Sequence, residues 1–472
     1  MTRQVYTVSG VDSGVRDSRR TSSIFENVKG MTVIATALII VGEMAGGGII
    51  AMPGALKHSS WVGIPLIFIG ALLTSYTGIQ LGSCWTILQK RWPEYREHTR
   101  KPYQEIARRS MGVVFQHITS VFVDFTLFGV ALAFLVVGAQ NISSLFQEWF
   151  EWNISFCYII LVVAICLWPL TFLGTPKDFW FLIAAAMGAT SVAAVLLIIG
   201  MAIDVHASGH YDKAPSSNTT ANTIGIPLDE LEFKPFFLAF GTILFSYGGH
   251  SAFPTIQHDM KIPSRFRNAV HIAYTIIVFI YAPVAIFGFL AYGENTDSGN
   301  VIQNIGSKWC KTTVFVLITV HVLLTFVLVT NPVSQELEEI LHVPHKFGWK
   351  RVVIRTCYVI LIVFVAESVP RFGLLLSLVG SSTITCLTFI FPGVFYISLK
   401  WQQQSWGQTA GMPVKRQFPP IPIWEFAYNV LIIAIGIIGA IAGTYAAVDG
   451  FVTGGASFSL PCYLQDLSDN HF

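Results

Sequence analysis

The stretch EMAGGGIIAMP, residues 43–53, breaks two rules of the apolar segment in which it lies. That segment runs from Met31 to Leu56 and is long enough to cross a bilayer as a helix. Glycine is a poor helix former and glutamate is costly in lipid, yet three glycines follow Glu43 closely. A helix that breaks near the middle of the membrane, beside a functional carboxyl group, explains both features.

The composition indicates an integral membrane protein. Of 472 residues, 53% are hydrophobic and only 12% are charged, which is about half the charged share of a soluble domain. The net charge of +2 points to no nucleic acid or other highly charged partner. Residues 1–30 are polar and lack the apolar core of a signal peptide, so we predict a cytosolic tail.

Apolar runs predict about eleven membrane-spanning segments. Each must be helical, because exposed backbone groups find no hydrogen-bond partner in hydrocarbon. The predicted fold class is therefore an all-α polytopic membrane protein. The spans lie near 31–54, 62–88, 114–146, 156–173, 179–203, 235–257, 269–291, 312–334, 351–366, 372–399 and 424–448.

The distribution of lysine and arginine favours a cytosolic N-terminus. Of the 29 lysine and arginine residues in the chain, only six fall in outer segments, whereas the inner loop 90–109 alone contains seven. An odd number of spans then puts the C-terminus outside or in a lumen. The segments outside the two halves are the outer loop 205–234, the inner loop and last helix at 400–448, and the outer tail 449–472.

The first and sixth spans share one interrupted motif, G-G-x-x-A-x-P. The two copies are five spans apart, an odd number, so they cross the membrane in opposite directions. Matched glycine-interrupted helices in oppositely directed halves are typical of inverted-repeat transporters, with chance coincidence as the alternative. We predict five-helix halves at 31–204 and 235–399. The aligned residues are Gly47, Gly48, Ala51 and Pro53 in one span and Gly248, Gly249, Ala252 and Pro254 in the other.

A helix break at this depth suits a zwitterionic ligand. The freed N–H groups at the start of a half-helix attract a carboxylate, and the freed carbonyls attract a cation or an ammonium group. Glycine lets the ligand approach the backbone closely. An α-amino acid carries both charges. Close helix packing by small residues is the alternative, but it leaves the matching second break unexplained.

Three stretches resemble signatures of the amino acid/auxin permease family: GGGIIAMPGALKHSSWVG, FSYGGHSAFPTIQHDM and GAQNI at 138–142. The resemblance covers roughly residues 28–450. It implies a LeuT-type fold, with a five-plus-five inverted repeat, broken helices 1 and 6, and an eleventh helix. It also implies a monomeric secondary transporter of small neutral amino acids that is no enzyme and needs no cofactor.

The resemblance also implies roles for individual residues. The substrate carboxylate would meet Gly46, Gly47 and Gly48, and its amino group and side chain would face Ser246, Gly248 and Gly249. Family members couple transport to protons or, in some branches, to sodium. The sodium-coupled branch usually has an asparagine just ahead of the first-helix glycines. Gly42-Glu43 stands there in this chain, which favours protons over sodium.

Several ionisable residues lie within predicted spans, where such groups usually face the bundle interior. We expect Glu43 and His321 to take part in proton coupling. For Glu43 the alternative is a fixed, hydrogen-bonded carboxyl group, for example one paired with His321, that never changes charge; for His321 it is a neutral histidine bonded within the bundle. For His250 a structural and a substrate-adjacent role both remain open, and Asp124 is expected to bond between helices.

Two covalent features are expected on the outer side. Cys310 and Cys462 both fall there, where disulfides persist, and we predict a bridge between them, with Cys157 as the spare candidate. The sequon Asn218-Thr219-Thr220 lies in the outer loop, and we predict glycosylation at Asn218 if the chain enters a secretory route.

Other function classes fit less well. The inner loops contain His98, His342 and His345 but no clustered catalytic or metal-binding set. A vesicular or exchange carrier, and an amino acid sensor that does not transport, need the same binding site and stay open. The plasma membrane and endolysosomal or vesicular membranes are equally compatible locations.

Overall fold

The computed structural model describes residues 27, 30–97, 99–152, 154–172, 180–207, 232–296, 299–344, 348–369, 371–406 and 417–453. Asn218 and Cys462 lie outside these residues, as does most of the segments 1–30, 205–234 and 449–472. The predicted glycosylation site is therefore untested.

The described residues are almost entirely helical. The only extended pairing among them is an isolated bridge between Met31 and Met260. The α-helices are Val33–Met44 (α1), Gly47–Ser59 (α2), Gly63–Arg91 (α3), Pro102–Met111 (α4), Val113–Phe150 (α5), Phe156–Leu167 (α6), Trp180–Ala207 (α7), Phe233–Ser246 (α8), Phe253–His258 (α9), Phe266–Tyr292 (α10), Lys308–Ile340 (α11), Trp349–Ser368 (α12), Phe372–Val379 (α13), Phe391–Gln403 (α14) and Ile423–Thr453 (α15).

Hydrophobicity explains why these helices cross a membrane. Within the described part of the chain, eight helical segments are long and apolar enough to span a bilayer, and α1 and the segment Phe156–Phe172 are shorter apolar helices. Large apolar side chains are exposed along their outer faces, for example Phe279 and Ile441. The predicted all-α polytopic class is confirmed, whereas the count of eleven and the inverted repeat remain predictions.

The loop 90–109, rich in basic residues, leads into a short amphipathic helix, α4, which was not predicted from the sequence. Pro102 opens α4, a position where its missing N–H costs nothing. One face of α4 buries Tyr103, Ile106 and Ala107. The Tyr103 hydroxyl donates to the carbonyl of Leu387, 2.5 Å away, and so ties this helix to the bundle.

Ion pairs hold α4 to the end of α11, on the side of the bundle predicted to be cytosolic. The Lys101 ammonium lies 2.6 Å from the Glu336 carboxylate and 2.9 Å from that of Glu339. Arg100 also pairs with Glu339. These side chains are partly exposed, so each pair adds little stability alone, but the network closes this side of the structure.

Three interruptions mark the centre of the bundle. The chain leaves helical geometry between α1 and α2 and again between α8 and α9, where both breaks were predicted. A third interruption joins α13 to α14 through two π-helical turns, Gly380–Ile384 and Cys386–Ile390. Such turns often occur at functional sites. In the interior, α2 packs against α8 and α10, and α11 packs against α5 and α7.

The predicted bridge between Cys310 and Cys462 is wrong, because Cys310 carries a free thiol. Cys310 is only 1% exposed and faces the bundle interior. Its sulfur lies 3.3 Å from the carbonyl oxygen of Leu196 on α7. The sequence prediction put Cys310 in the outer loop before the eighth span, whereas it lies in the first turn of α11, whose rotation turns the thiol inward. Cys157 is not among the free thiols of the described residues.

Candidate functional site

The first break spans two residues. α1 ends at Met44, and Ala45 and Gly46 leave the helical region, with ψ angles of 46° and −127° respectively. The N–H of Gly46 turns back to the carbonyl of Met44 at 2.8 Å. α2 then begins at Gly47. The N–H groups of Gly47 and Gly48 stand in its first turn, where a helix offers no internal acceptor and carries partial positive charge.

The second break is longer. α8 ends at Ser246, a 3-10 turn covers Gly249–Ser251, and α9 begins at Phe253. The N–H of Gly248 bonds to the carbonyl of Phe245 at 3.0 Å, which closes the end of α8.

Both breaks border one cavity of about 40 Å³. Glu43, Gly46 and Gly47 line it from the first break, and Gly248 and Ser251 from the second. This volume holds no more than a few water molecules, so a ligand of amino acid size enters only if the surrounding helices move. The remaining lining residues come from α1, α5, α8, α11 and the π-helical segment: Met44, Thr126, Leu127, Val130, Phe134, Phe245, Thr325, Val329 and Ile384.

Glu43 is exposed to this space and forms no hydrogen bond or ion pair with any described residue. The alternative Glu43–His321 pair is therefore not formed. The His321 Nδ1 atom instead lies 2.6 Å from the Thr190 hydroxyl and 3.1 Å from the carbonyl of Ala186. The other ring nitrogen of His321, Nε2, faces Gly46, so this histidine packs against the first break.

Two phenylalanine rings flank Gly47. A Cβ atom at Gly47 would lie 3.0 Å from the Phe134 ring and 3.2 Å from the Phe372 ring. Phe372 also lines a second, larger cavity of about 670 Å³ on the side predicted to be outside. Polar side chains dominate one wall of that cavity, including Gln140, Asn300 and Gln303. Phe372 thus lies between the outer cavity and the break.

The six glycine and serine positions named from the sequence divide into two groups. Gly46, Gly47 and Gly248 line the cavity. Gly48, Ser246 and Gly249 are buried in contacts between helices. A Cβ at Gly48 would lie 2.8 Å from Cα of Ser246, and one at Gly249 would lie 2.7 Å from the Phe253 ring. The Ser246 hydroxyl donates within its own helix, to the carbonyl of Thr242 at 2.9 Å.

The two other ionisable residues lie away from the cavity lining. The His250 Nε2 atom lies 3.1 Å from the carbonyl of Thr74 and 3.1 Å from the Thr77 hydroxyl, so His250 joins the second break to α3. Asp124 is partly buried and makes no hydrogen bond or ion pair with a described residue, so the expected helix-to-helix bond is not seen. No group of three potential metal ligands occurs among the described residues.

Sequence reasoning missed Tyr281, which joins the two breaks. Its hydroxyl lies 2.6 Å from the carbonyl oxygen of Met44, at the end of α1, and 3.0 Å from that of Ser246, at the end of α8. Tyr281 is fully buried on α10. A tyrosine in an apolar run carries no charge and breaks no pattern, so nothing in the local sequence marks its role.

Comparison with known proteins agrees with this architecture. The chain is similar to the amino acid transporters AVT1C, AVT1J and ANT1 of Arabidopsis thaliana, with identities of 26%, 25% and 21%. These matches cover 87%, 86% and 87% of this chain and 68%, 88% and 91% of the three relatives.

The fold is similar to that of MhsT, a LeuT-type structure solved with L-phenylalanine. The TM-score is 0.53 at 14% identity, over 87% of this chain and 98% of MhsT. A family model described as transmembrane amino acid transporter protein matches residues 29–448. The chain therefore belongs to the transmembrane amino acid transporter family.

Proposed function

We propose that this protein is a proton-coupled secondary transporter of small neutral amino acids that works by alternating access. The observation that carries the proposal is the cavity at the two breaks, where the first turn of α2 and an unpartnered Glu43 come together. The N-terminus of the protein would lie in the cytosol and its C-terminus outside or in a lumen.

The cavity offers complementary groups for an α-amino acid. The N–H group of Gly47 and the positive end of α2 suit the substrate carboxylate. Carbonyls at the ends of α1 and α8 suit the ammonium group. The described lining contains no basic side chain and is mainly apolar, which favours a neutral side chain over an acidic one.

Two barriers support alternating access. Phe372 stands between the outer cavity and Gly47, and Phe134 packs against Gly47 from the cavity at the breaks. On the inner side, Arg100 and Lys101 close the structure against Glu336 and Glu339. Opening the inner ion-pair barrier while the outer barrier stays closed would expose the cavity to the cytosolic side of the membrane. Helix breaks supply the hinges that such movements need.

Glu43 is the proposed proton carrier. A carboxylate inside a membrane protein is costly unless it is paired or protonated, and Glu43 has no hydrogen-bond or ion-pair partner in the described part of the chain. Protonation removes this charge at the hinge of the first helix, and would therefore favour one of the two access states. A ligand or proton shifts such an equilibrium only through its differential affinity for the two states.

Transport by purified protein in liposomes tests this proposal. With the outside acidic and no sodium present, we expect radiolabelled neutral amino acids to accumulate above their outside concentration, and a protonophore to abolish the accumulation. Substrate binding without any flux would indicate a sensor. A strict need for sodium, or exchange that ignores the pH gradient, would contradict proton coupling.

A further inference from the structure

A lipid-facing groove lies between α6 and α12, apart from the cavity at the breaks. Its volume is about 380 Å³ and half of its lining residues are branched aliphatic. Ile165, Ile360 and Phe364 in these walls are more than half exposed, so the groove opens toward the hydrocarbon of the membrane. The full lining is Leu161, Ala164, Ile165, Trp168, Thr356, Val359, Ile360, Val363, Phe364 and Glu367.

One buried carboxyl group lines this apolar groove. Glu367 is 1% exposed, and neither of its carboxylate oxygens has a hydrogen-bond partner among the described residues. It lies one residue before the end of α12, at the membrane side predicted to be outside. An unpartnered buried carboxyl group is destabilising, and ionisable groups within membrane proteins usually mark a functional site. Both oxygens are buried beneath the groove surface, so a ligand that donates a hydrogen bond would satisfy Glu367 once its side chain turns outward.

The opposite end of the groove is closed by a second polar pair. The indole N–H of Trp168 donates to the Thr356 hydroxyl at 2.9 Å. Thr356 and Glu367 are separated by eleven residues of one helix, so the groove extends about 16 Å along α12. Its ligand therefore has an elongated apolar body and one polar end.

We propose that this groove binds a membrane sterol, whose single hydroxyl donates a hydrogen bond to Glu367. Charge complementarity favours a sterol over a phospholipid. A phospholipid would bring a phosphate close to the Glu367 carboxyl group, and no basic side chain is among the residues that line the groove. A sterol brings a hydroxyl donor, no phosphate, and a rigid apolar body that fits aliphatic walls.

Photolabelling of the full-length protein tests the site directly. The protein would be placed in phosphatidylcholine nanodiscs with a diazirine analogue of cholesterol, irradiated, and digested for mass spectrometry. We expect label on peptides from 161–168 and 356–367, and competition by unlabelled cholesterol. Label confined to other helices would overturn the proposal. Equal competition by phosphatidylethanolamine would do the same and indicate a phospholipid.

Two substitutions at Glu367 separate hydrogen bonding from structure. Glu367→Leu removes the acceptor, so we expect labelling at the groove to fall about tenfold or more. Glu367→Gln keeps an acceptor oxygen and should stay within about threefold of the wild type. Both variants lose an unpartnered carboxyl group, so neither should unfold at a lower temperature in sterol-free lipid. Equal labelling of Glu367→Leu and wild type would refute the assignment.

A steric variant tests the groove independently of Glu367. Val363→Phe places a larger ring among the lining residues and should prevent labelling. Ile438→Phe makes a similar change on the exposed face of α15 and should leave labelling unchanged. If both variants label like the wild type, the sterol does not occupy the groove. These readouts do not depend on transport, so they can fail while the proposed function holds.

Discussion

The Tyr281 hydroxyl lies 2.6 Å from the carbonyl oxygen of Met44, the last residue of the first half-helix. The same hydroxyl lies 3.0 Å from the carbonyl of Ser246, where the other interrupted helix ends. A carbonyl at a helix end needs a partner when it is buried, and this tyrosine serves both breaks. Tyr281 therefore fixes the positions of the two helix breaks relative to each other.

Tyr281→Phe removes this shared hydrogen bond and leaves the ring in place. We expect uptake of substrate by liposomes to fall about tenfold, because the lost bond leaves buried carbonyls with fewer partners. Tyr445→Phe on the exposed face of α15 is the matched control and should transport normally. Normal uptake by Tyr281→Phe would show that this hydrogen bond does not determine the geometry of the binding site.

Gly48→Ala tests the contact between α2 and α8. The added Cβ would lie 2.4 Å from the hydroxyl of Ser246 and 2.8 Å from its Cα, so the helices must separate. We expect a loss of about 1–3 kcal/mol in stability, as for other overpacked sites, and a strong loss of transport. Gly188→Ala has no described atom within 4 Å of its new Cβ and serves as the control. Unfolding temperature and uptake measure both effects, and equal behaviour of the two variants would contradict the close contact.

Glu43→Gln tests proton coupling. The neutral amide cannot carry a proton across, so accumulation driven by a pH gradient should disappear while exchange of substrate across the membrane persists. Glu151→Gln, at the exposed end of α5, should accumulate substrate like the wild type. Uphill accumulation by Glu43→Gln would exclude Glu43 as the proton carrier, whereas loss of exchange as well would indicate a structural role.

The cysteine inventory leads to a revised disulfide prediction. Five of the seven cysteines carry free thiols in the described residues, and Cys310 is one of them. Cys157 and Cys462 remain, and both fall on the predicted outer side. We therefore predict a bridge between Cys157 and Cys462. Mass spectrometry of a non-reduced digest should find their linked peptides, and free thiols at both positions would disprove it.

The sequence predicted the positions of both breaks well because their causes are local. Three consecutive glycines at 46–48 and the Gly248-Gly249 pair favour interruption wherever they stand in an apolar helix. The interruptions occur at Ala45–Gly46 and around Gly248–Ser251. The third interruption, the π-helical segment 380–390, has a single glycine followed by serine and threonine, which lower helix propensity without specifying where the helix is interrupted.

The direction in which a side chain points could not be predicted from the sequence. Gly47 lines the cavity whereas Gly48, its neighbour, packs against Ser246. Successive residues of a helix point about 100° apart, so the two roles depend on the rotation of α2 about its axis. That rotation is set by contacts with α8 and α10, which lie far away in the chain. The inward thiol of Cys310 has the same explanation.

By itself, the sequence determined that this protein is a helical membrane protein with two matched breaks. Hydrophobicity and the need to satisfy backbone groups in lipid act on each segment separately, so they can be read from it. Only the tertiary structure decided that Glu43 borders the cavity without a partner among the described residues, that Tyr281 joins the breaks and that Glu367 lines a groove. Each of these facts depends on side chains brought together from distant helices, and no local pattern encodes that packing.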